Sequence, residues 1–323
     1  MKKKFYQKSK IQWIRYSVLL LFCSFFVLIP LSNRYANYKI SYNQARLVEL
    51  ADGPIHAKIY SALNSFYSLW EDPVTAATSN NGSLWAYTVL GVPISDPLGL
   101  ISELINYVHF PWKYLVGGLI PFFATFILGR FFCSWLCPME GLFRITKSLR
   151  SLLLKLKFPL IDLQLPTKTR VILFWSGLVL SYFWGAWIWH FILPYISFSH
   201  EIFSIIIFSS FTAGIYFLVA VLVLDIGLIP GQFCKSVCPT GFLLSWLGKF
   251  SLFTLKAKTS ACPKGCSACL KACPVDLYPG KDELYSCHLC YKCVDVCPKK
   301  HIQLALNPIY KKEKKYEEKF CAQ

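Results

Sequence analysis

Two cysteine runs near the C-terminus constrain this chain more than any other feature. The first, CPKGCSACLKACP, places Cys262, Cys266, Cys269 and Cys273 ahead of Pro274. The second, CHLCYKCVDVCP, places Cys287, Cys290, Cys293 and Cys297 ahead of Pro298. The second run is C-x2-C-x2-C-x3-C-P without deviation, a spacing in which three close thiolates hold one cubane and the fourth reaches its neighbour. It predicts two [4Fe–4S] clusters, one held by Cys262, Cys266, Cys269 and Cys297, the other by Cys273, Cys287, Cys290 and Cys293. The first run carries one extra residue between its first two Cys, where Gly265 can take the positive φ that keeps the sulfurs inward. About fifty residues cannot bury an adequate core, so metal must staple this segment. Disulfides and structural zinc compete. A reducing compartment disfavours the first, and two dense runs each ending in Pro disfavour the second.

Four segments are apolar and long enough to be read as membrane spans, which need about 20 residues. They cover 16–31, 112–128, 171–194 and 202–224, the last closed by Asp225 and Pro230–Gly231. A cleaved signal peptide is the rival for the first, but its apolar run is long and no A-x-A site follows. Only 16% of the 323 residues are charged, which disfavours a freely soluble enzyme.

The net charge of +17 is a topology signal. Residues 1–15 carry six Lys/Arg and no acid, and 129–170 carry eight against Glu140 and Asp162. Residues 33–113 carry five against six acids. The basic segments, both termini and the clusters are therefore expected on the cytoplasmic side of an inner membrane, in a multi-pass protein. Charge beside membrane spans needs no nucleic-acid partner, and none is expected.

The segments after the second and fourth spans read GRFFCSWLCPMEG and GQFCKSVCPTG, so a C-x3-C-P motif occurs twice: Cys133, Cys137, Pro138 and Cys234, Cys238, Pro239. Four-residue spacing puts both sulfurs on one helical face. Pro suits the first position of a following helix, which puts Cys137 and Cys238 at positive N-termini that favour thiolate, with Arg130 and Lys235 adding to the field. A redox-active dithiol and a metal site shared by both motifs stand against simple packing. After the first motif, Leu142, Ile145, Leu149, Leu152, Leu153 and Leu156 share one face, opposite Arg144, Lys147, Arg150 and Lys155. This predicts a basic amphipathic helix on the inner membrane surface, ended by Pro159.

The expected fold is membrane α-helical, with four transmembrane helices and a small C-terminal α+β two-cluster ferredoxin-like domain. Its segments are a basic N-terminus (1–15), the span 16–31, an external loop (32–111), the span 112–128, and a cytoplasmic loop (129–170) with the first motif. The spans 171–194 and 202–224 follow, then the second motif segment (231–257), the ferredoxin-like domain (258–308) and a charged tail (309–323). Asp96–Pro97 reads as the cap and first residue of a short helix through Val108. Asn81–Gly82–Ser83 reads as a turn, His288 and His301 as exposed, Cys23 as packing, and Cys321 as part of the tail.

Four spans, CSWLCP, CKSVCP, the C-terminal cysteine runs and the stretch ISDPLGLISEL together resemble the NapH-type membrane ferredoxins, over most of the chain from about residue 90. The resemblance implies a quinol dehydrogenase component of a periplasmic nitrate reductase or related system. Its implied partners are membrane quinol and a further electron-transfer subunit or reductase. Quinol oxidation releases protons, and His109, His190 and His200, with Glu201, are candidate acceptors at the expected outer span ends, with Trp112, Trp184, Trp187 and Trp189 as an aromatic wall. An interfacial aromatic belt explains the same residues. Two other functions fit the motifs: a redox-dependent assembly or metal-reducing factor for a respiratory enzyme, and a membrane redox sensor.

Overall fold

The computed structural model describes residues 10–79, 81–83, 86–89, 92–106, 112–257, 266–275, 277–279, 286–297 and 302–307. The chain opens with α1 (Lys10–Ser41), which passes through Pro30 and extends well beyond the 16–31 run. Next come α2 (Ala45–Asp52), α3 (Pro54–Tyr67) and α4 (Pro73–Thr78), the last capped by Asp72 through the amides of Val74 and Thr75. Strands β1 (Asn81–Ser83), β2 (Ala86–Val89) and β3 (Val92–Ser95) form an antiparallel sheet, so the stretch read as a turn at residue 81 is an edge strand. Helix α5 (Pro97–Asn106) starts as expected, with Asp96 Oδ2 accepting from the amides of Leu98 (2.8 Å) and Gly99 (3.3 Å).

Helix α6 (Trp112–Leu128) leads into a short α7 (Phe131–Trp135) and then α8 (Pro138–Lys155), with Pro at its first position. Helix α9 (Lys168–Trp184) stops at Gly185, whose φ of 75° breaks the 171–194 run into a helix and a 3-10 turn (Ala186–Phe191). Helices α10 (Pro194–Phe208) and α11 (Gly214–Gly227) follow. A π-helical turn (Phe233–Val237) then precedes α12 (Pro239–Gly248). The cysteine-rich segment holds β4 (Phe253–Ala257), α13 (Ala268–Ala272), α14 (Lys292–Val296) and β5 (Ile302–Leu306). Its two strands pair antiparallel from Phe253↔Leu306 to Ala257↔Ile302.

Two expectations need correction. The 32–111 segment, expected as an external loop, is folded over its described residues rather than a loop. Tyr35, Tyr60 and Tyr67 pack their rings (Tyr35–Tyr67 centroids 5.2 Å apart) around Val48 and Ala77, both fully buried. The 202–224 run is not one helix. Ser209 takes a left-handed conformation (φ 52°) and ends α10, and the chain resumes helix only at Gly214. The break is satisfied internally: the Thr212 amide donates to Glu201 Oε2 (3.0 Å), the Thr212 hydroxyl donates to Oε1, and Ser204 Oγ donates to Ser210 O (3.1 Å). Arg34 donates to Ile206 O at the end of α10, where free carbonyls carry negative charge.

The chain packs as two units. The first takes residues 1–21, 121–179 and 220–323, the second 22–120 and 180–219. Among the described residues, α1 is the one helix long and apolar enough to cross a membrane, and Leu115–Leu128, α10 and α11 are apolar but shorter. Many large apolar side chains point outward, Leu20, Phe123, Ile172, Phe183 and Tyr216 among them. Helix α8 is turned the same way. Ile145, Leu149 and Leu152 are exposed, while Thr146 and Arg150 are buried, with Arg150 donating to Ile161 O at 2.8 Å and to Ile226 O. Its basic face is therefore partly internal, contrary to the expectation for Arg150.

Candidate iron–sulfur and thiol sites

In the first unit the duplicated motifs fold alike. Each places its first Cys in a short helical turn and its second as the N-cap of a Pro-initiated helix: Cys137 before α8, Cys238 before α12. Cys238 Sγ accepts from the Gly241 amide at 3.4 Å. The four thiols converge, since Cys137 senses the charge of Cys133 and Cys238, and Cys234 that of the other three. The expectation of low-pKa thiols at the two helix ends, Cys137 and Cys238, is corrected at Cys137. Burial pushes the Cys137 and Cys234 thiols well above their ordinary value, and the neighbouring sulfurs push the same way. At Cys137 the loss of water outweighs the helix dipole.

Arg130, only 1% exposed, is the fixed cation of this region. Its Nη2 lies 3.8 Å from Cys133 Sγ and donates to Cys234 O at 3.4 Å, while Nη1 donates to Ser286 O at 3.2 Å. A Cβ on Gly241 would meet Nη2 at 2.8 Å, so glycine there lets the guanidinium in.

The Arg130–Ser286 bond is one of a series. Ser134 Oγ donates to His288 O (2.6 Å), Trp135 Nε1 to Leu289 O (3.1 Å) and Gln12 Nε2 to Cys290 O (2.9 Å). Leu289 (φ 47°) and Tyr291 (φ 57°) hold left-handed conformations that cost about 1–3 kcal/mol each, and these donors fix the carbonyls around them. The second cysteine run is thus laid directly on the first C-x3-C-P segment.

Cys273, Cys287, Cys290 and Cys293 line one small cavity with Leu255 and Pro274. The last Cys of the first run therefore faces the first three of the second. Amides of Leu277 and Leu289 donate to Cys273 Sγ (3.3 Å) and Cys287 Sγ (3.4 Å). Burial pushes the Cys287 thiol up to about 12 and Cys293 up as well. Cys269 and Cys297 pack against the same core, formed by Leu255, Leu289 and Ile302, and Cys266 is partly buried. Cys262, His301 and Cys321 lie outside the described residues. His288, expected to be exposed, is 4% exposed and lines the cavity; burial drives its imidazole well below the usual range.

Glu140, two residues past Pro138, was legible only as an isolated acid in a basic loop. It meets Arg144 (2.5 Å), Lys292 (3.5 Å) and the buried Arg15 (3.7 Å), so α1, α8 and α14 share one carboxylate.

In the second unit, His190, His200 and Glu201 come together, whereas His109 lies outside the described residues. The aromatic wall dissolves. Trp189 is buried and donates to Ser102 Oγ (2.5 Å), Trp184 is exposed, Trp187 alone stands edge-on to both His rings, and the Trp112 side chain lies outside the described residues. A pocket of about 250 Å³ opens elsewhere in this unit, lined by Leu31, Arg34, Tyr38, His56, Tyr60 and Ile205. No sequence motif pointed to it; its signal was Arg34 at the end of an apolar run.

Paired cysteine runs beside converging motif thiols, held by a ferredoxin-like pair of strands and helices, define an iron–sulfur electron-transfer protein. A family model described as a 4Fe-4S binding domain matches residues 110–157 and 203–258, each stretch holding one C-x3-C-P motif. An uncharacterized protein of Methanocaldococcus jannaschii is 32% identical over 223 residues, 64% of this chain and 82% of that protein. The ferredoxin-type protein NapH of Escherichia coli is 27% identical over 219 residues, covering 64% and 72%. The methylamine utilization ferredoxin-type protein MauN of Methylobacillus flagellatus is 27% identical over 208 residues, covering 64% and 69%. The chain belongs to the NapH-type ferredoxin family. No solved structure matches it.

Proposed function

We propose that this chain is a membrane-embedded subunit that takes electrons from quinol and passes them, through a partner, toward a respiratory reductase. The observation that carries the reading is the seat of the second cysteine run on the first C-x3-C-P segment, where Arg130 touches both. A redox group at each position would be a near neighbour of the other. Cys262, Cys266, Cys269 and Cys297 hold one [4Fe–4S] cluster; Cys273, Cys287, Cys290 and Cys293 hold the second. Cys133, Cys137, Cys234 and Cys238 hold a further iron–sulfur group, supported by their convergence and by the matched 4Fe-4S domain. A bound cluster supplies one-electron redox chemistry. The amides on Cys273 and Cys287 and the Arg130 charge stabilise the reduced, more negative state.

The apolar runs 112–128, 171–194 and 202–224 enter the bilayer together with α1, their exposed side chains facing lipid. Broken helices are tolerated there when protein satisfies the freed backbone, as Glu201 and Thr212 do. Charge asymmetry keeps the termini and clusters on the cytoplasmic side.

The quinol headgroup fits the Arg34 pocket better than the His190 group. The pocket is apolar, with a few polar groups at one side, the usual make-up of a small-molecule site. Arg34 Nε donates to the Tyr38 hydroxyl (2.6 Å), which donates to Asp52 Oδ2 (2.5 Å). Arg34 cannot relay a proton, but the Tyr38 hydroxyl lines the pocket and the Asp52 side chain is 38% exposed, so a proton accepted at Tyr38 as it gives its own to Asp52 has a way to water.

Anaerobic membranes given quinol test the whole reading by EPR, with the expected result that the cluster signals appear without added dithionite. Cys234→Ser should slow quinol-driven reduction at least tenfold while dithionite still reduces the C-terminal clusters; equal quinol rates would remove the motif thiols from the path. Arg34→Ala should raise the half-saturating quinol concentration about tenfold, the loss of one charge-assisted hydrogen bond. An unchanged value would place the headgroup elsewhere.

A further inference from the structure

We infer that His190, His200 and Glu201 form a binding site for a first-row divalent transition-metal ion, held by two imidazoles and one carboxylate. The site uses no cysteine and does not rest on the quinol reading. The 3-10 turn after Gly185 delivers His190, and the first half of α10 delivers His200 and Glu201. One ligand atom of each lies within 4.8 Å of the others. Ligands about 2.1 Å from a tetrahedral ion stand roughly 3.4 Å apart, so small side-chain rotations close the set. The two imidazoles are edge to face, centroids 4.6 Å apart at 75°, and do not stack.

Three further observations point to a ligand. His200 Nδ1 is buried without a hydrogen-bond partner, and orphaned buried polar atoms are uncommon unless something binds them. Glu201, 3% exposed, is fixed by the Thr212 amide and hydroxyl, the kind of outer hydrogen bond that orients a ligating carboxylate. Gly214 backs the site: a Cβ there would stand 2.8 Å from both Glu201 Oε1 and His190 Nε2. The first residue of α11 is therefore one whose side chain would fill the space between two of the proposed ligands.

The donor set decides the class of ion. Two imidazole nitrogens and one carboxylate oxygen suit Zn²⁺, Fe²⁺ or Co²⁺ better than Mg²⁺ or Ca²⁺, which prefer oxygen alone. Three protein ligands leave a fourth position for water or another group. Such an ion would tie the 3-10 turn to α10 and, through Thr212, to the break before α11.

The test uses the full chain, purified anaerobically in detergent with its iron, equilibrated with Zn²⁺ and desalted. Zinc and iron are then counted per chain, and the zinc K-edge absorption spectrum is recorded. About one zinc should remain, with a nitrogen and oxygen shell containing imidazole and no sulfur. His190→Ala and His200→Ala should each lower retained zinc at least tenfold at limiting zinc, with iron unchanged. Gly214→Ala keeps all three ligands and fills the cradle, and should weaken retention by a similar factor. The inference is overturned by a wild-type chain that retains no zinc, by a sulfur shell, or by zinc that survives His190→Ala. The wild-type spectrum decides the matter even where a variant loses its iron along with its fold.

Discussion

Glu140→Ala should destabilise the first unit by about 3–5 kcal/mol, the cost of removing one partner from a buried ion pair. Glu140 is 9% exposed and serves three cations, and Arg15, itself 1% exposed, has no nearer anion among its described contacts. Arg144 reaches the same Oε1 through Nε (2.9 Å) and Nη2 and stacks over Tyr16, with its Cζ 4.8 Å from the ring centroid. With the carboxylate gone, three positive charges share one protein-lined space and nothing neutralises them. Lys292, whose pKa burial lowers and which Glu140 and then Cys290 hold up, would lose the larger of these two supports. Because Lys292 lies between Cys290 and Cys293, the loss should also show as faster release of iron. The measurement is the unfolding midpoint in detergent, read by far-UV circular dichroism, beside iron loss to a chelator. Glu140→Gln keeps the shape and discards the charge, so it should lose nearly as much. A change below about 1 kcal/mol in both variants would mean that water, not protein, screens these cations.

The same residue shows where sequence reasoning reached and where it stopped. Cys137–Pro138 and Cys238–Pro239 were legible as helix starts because capping is local, settled by a residue and its next three neighbours. Asp96–Pro97 was legible for the same reason. Glu140 was not, since only Arg144 stands at the local i,i+4 spacing, while Arg15 lies 125 residues upstream and Lys292 152 downstream with no mutual spacing. The thiol chemistry misled for a related cause. The helix dipole can be read from a motif, but the burial that outweighs it at Cys137 comes from distant packing. Hydropathy likewise reported that 202–224 is apolar and nothing about continuity. The signals of a break were present in Ser209, Ser210 and Gly214 inside the run and in Glu201 just before it, yet each is tolerated singly in a helix. The 32–111 segment was opaque because its core is built from Tyr, a residue at home on surfaces as well as inside.

Cys273→Ser should abolish the cluster assigned to the second run although Cys273 belongs to the first, and should lower iron by about four atoms per chain. Cys273 shares its cavity with Cys287, Cys290 and Cys293, and its Sγ accepts from the Leu277 amide. On the proposed assignment the two runs interlock, and neither cluster would form from its own run alone. EPR of the reduced protein distinguishes this from independent sites. Cys273→Ser and Cys290→Ser should lose the same signal, while Cys269→Ser and Cys297→Ser should lose the other. If Cys273→Ser instead matches Cys269→Ser, each run holds its own cluster and the shared cavity is packing. Serine is nearly isosteric and can ligate iron weakly, so Cys273→Ala serves as the stricter variant. Its loss should be complete, because the cavity then offers three sulfurs to a cube that needs four.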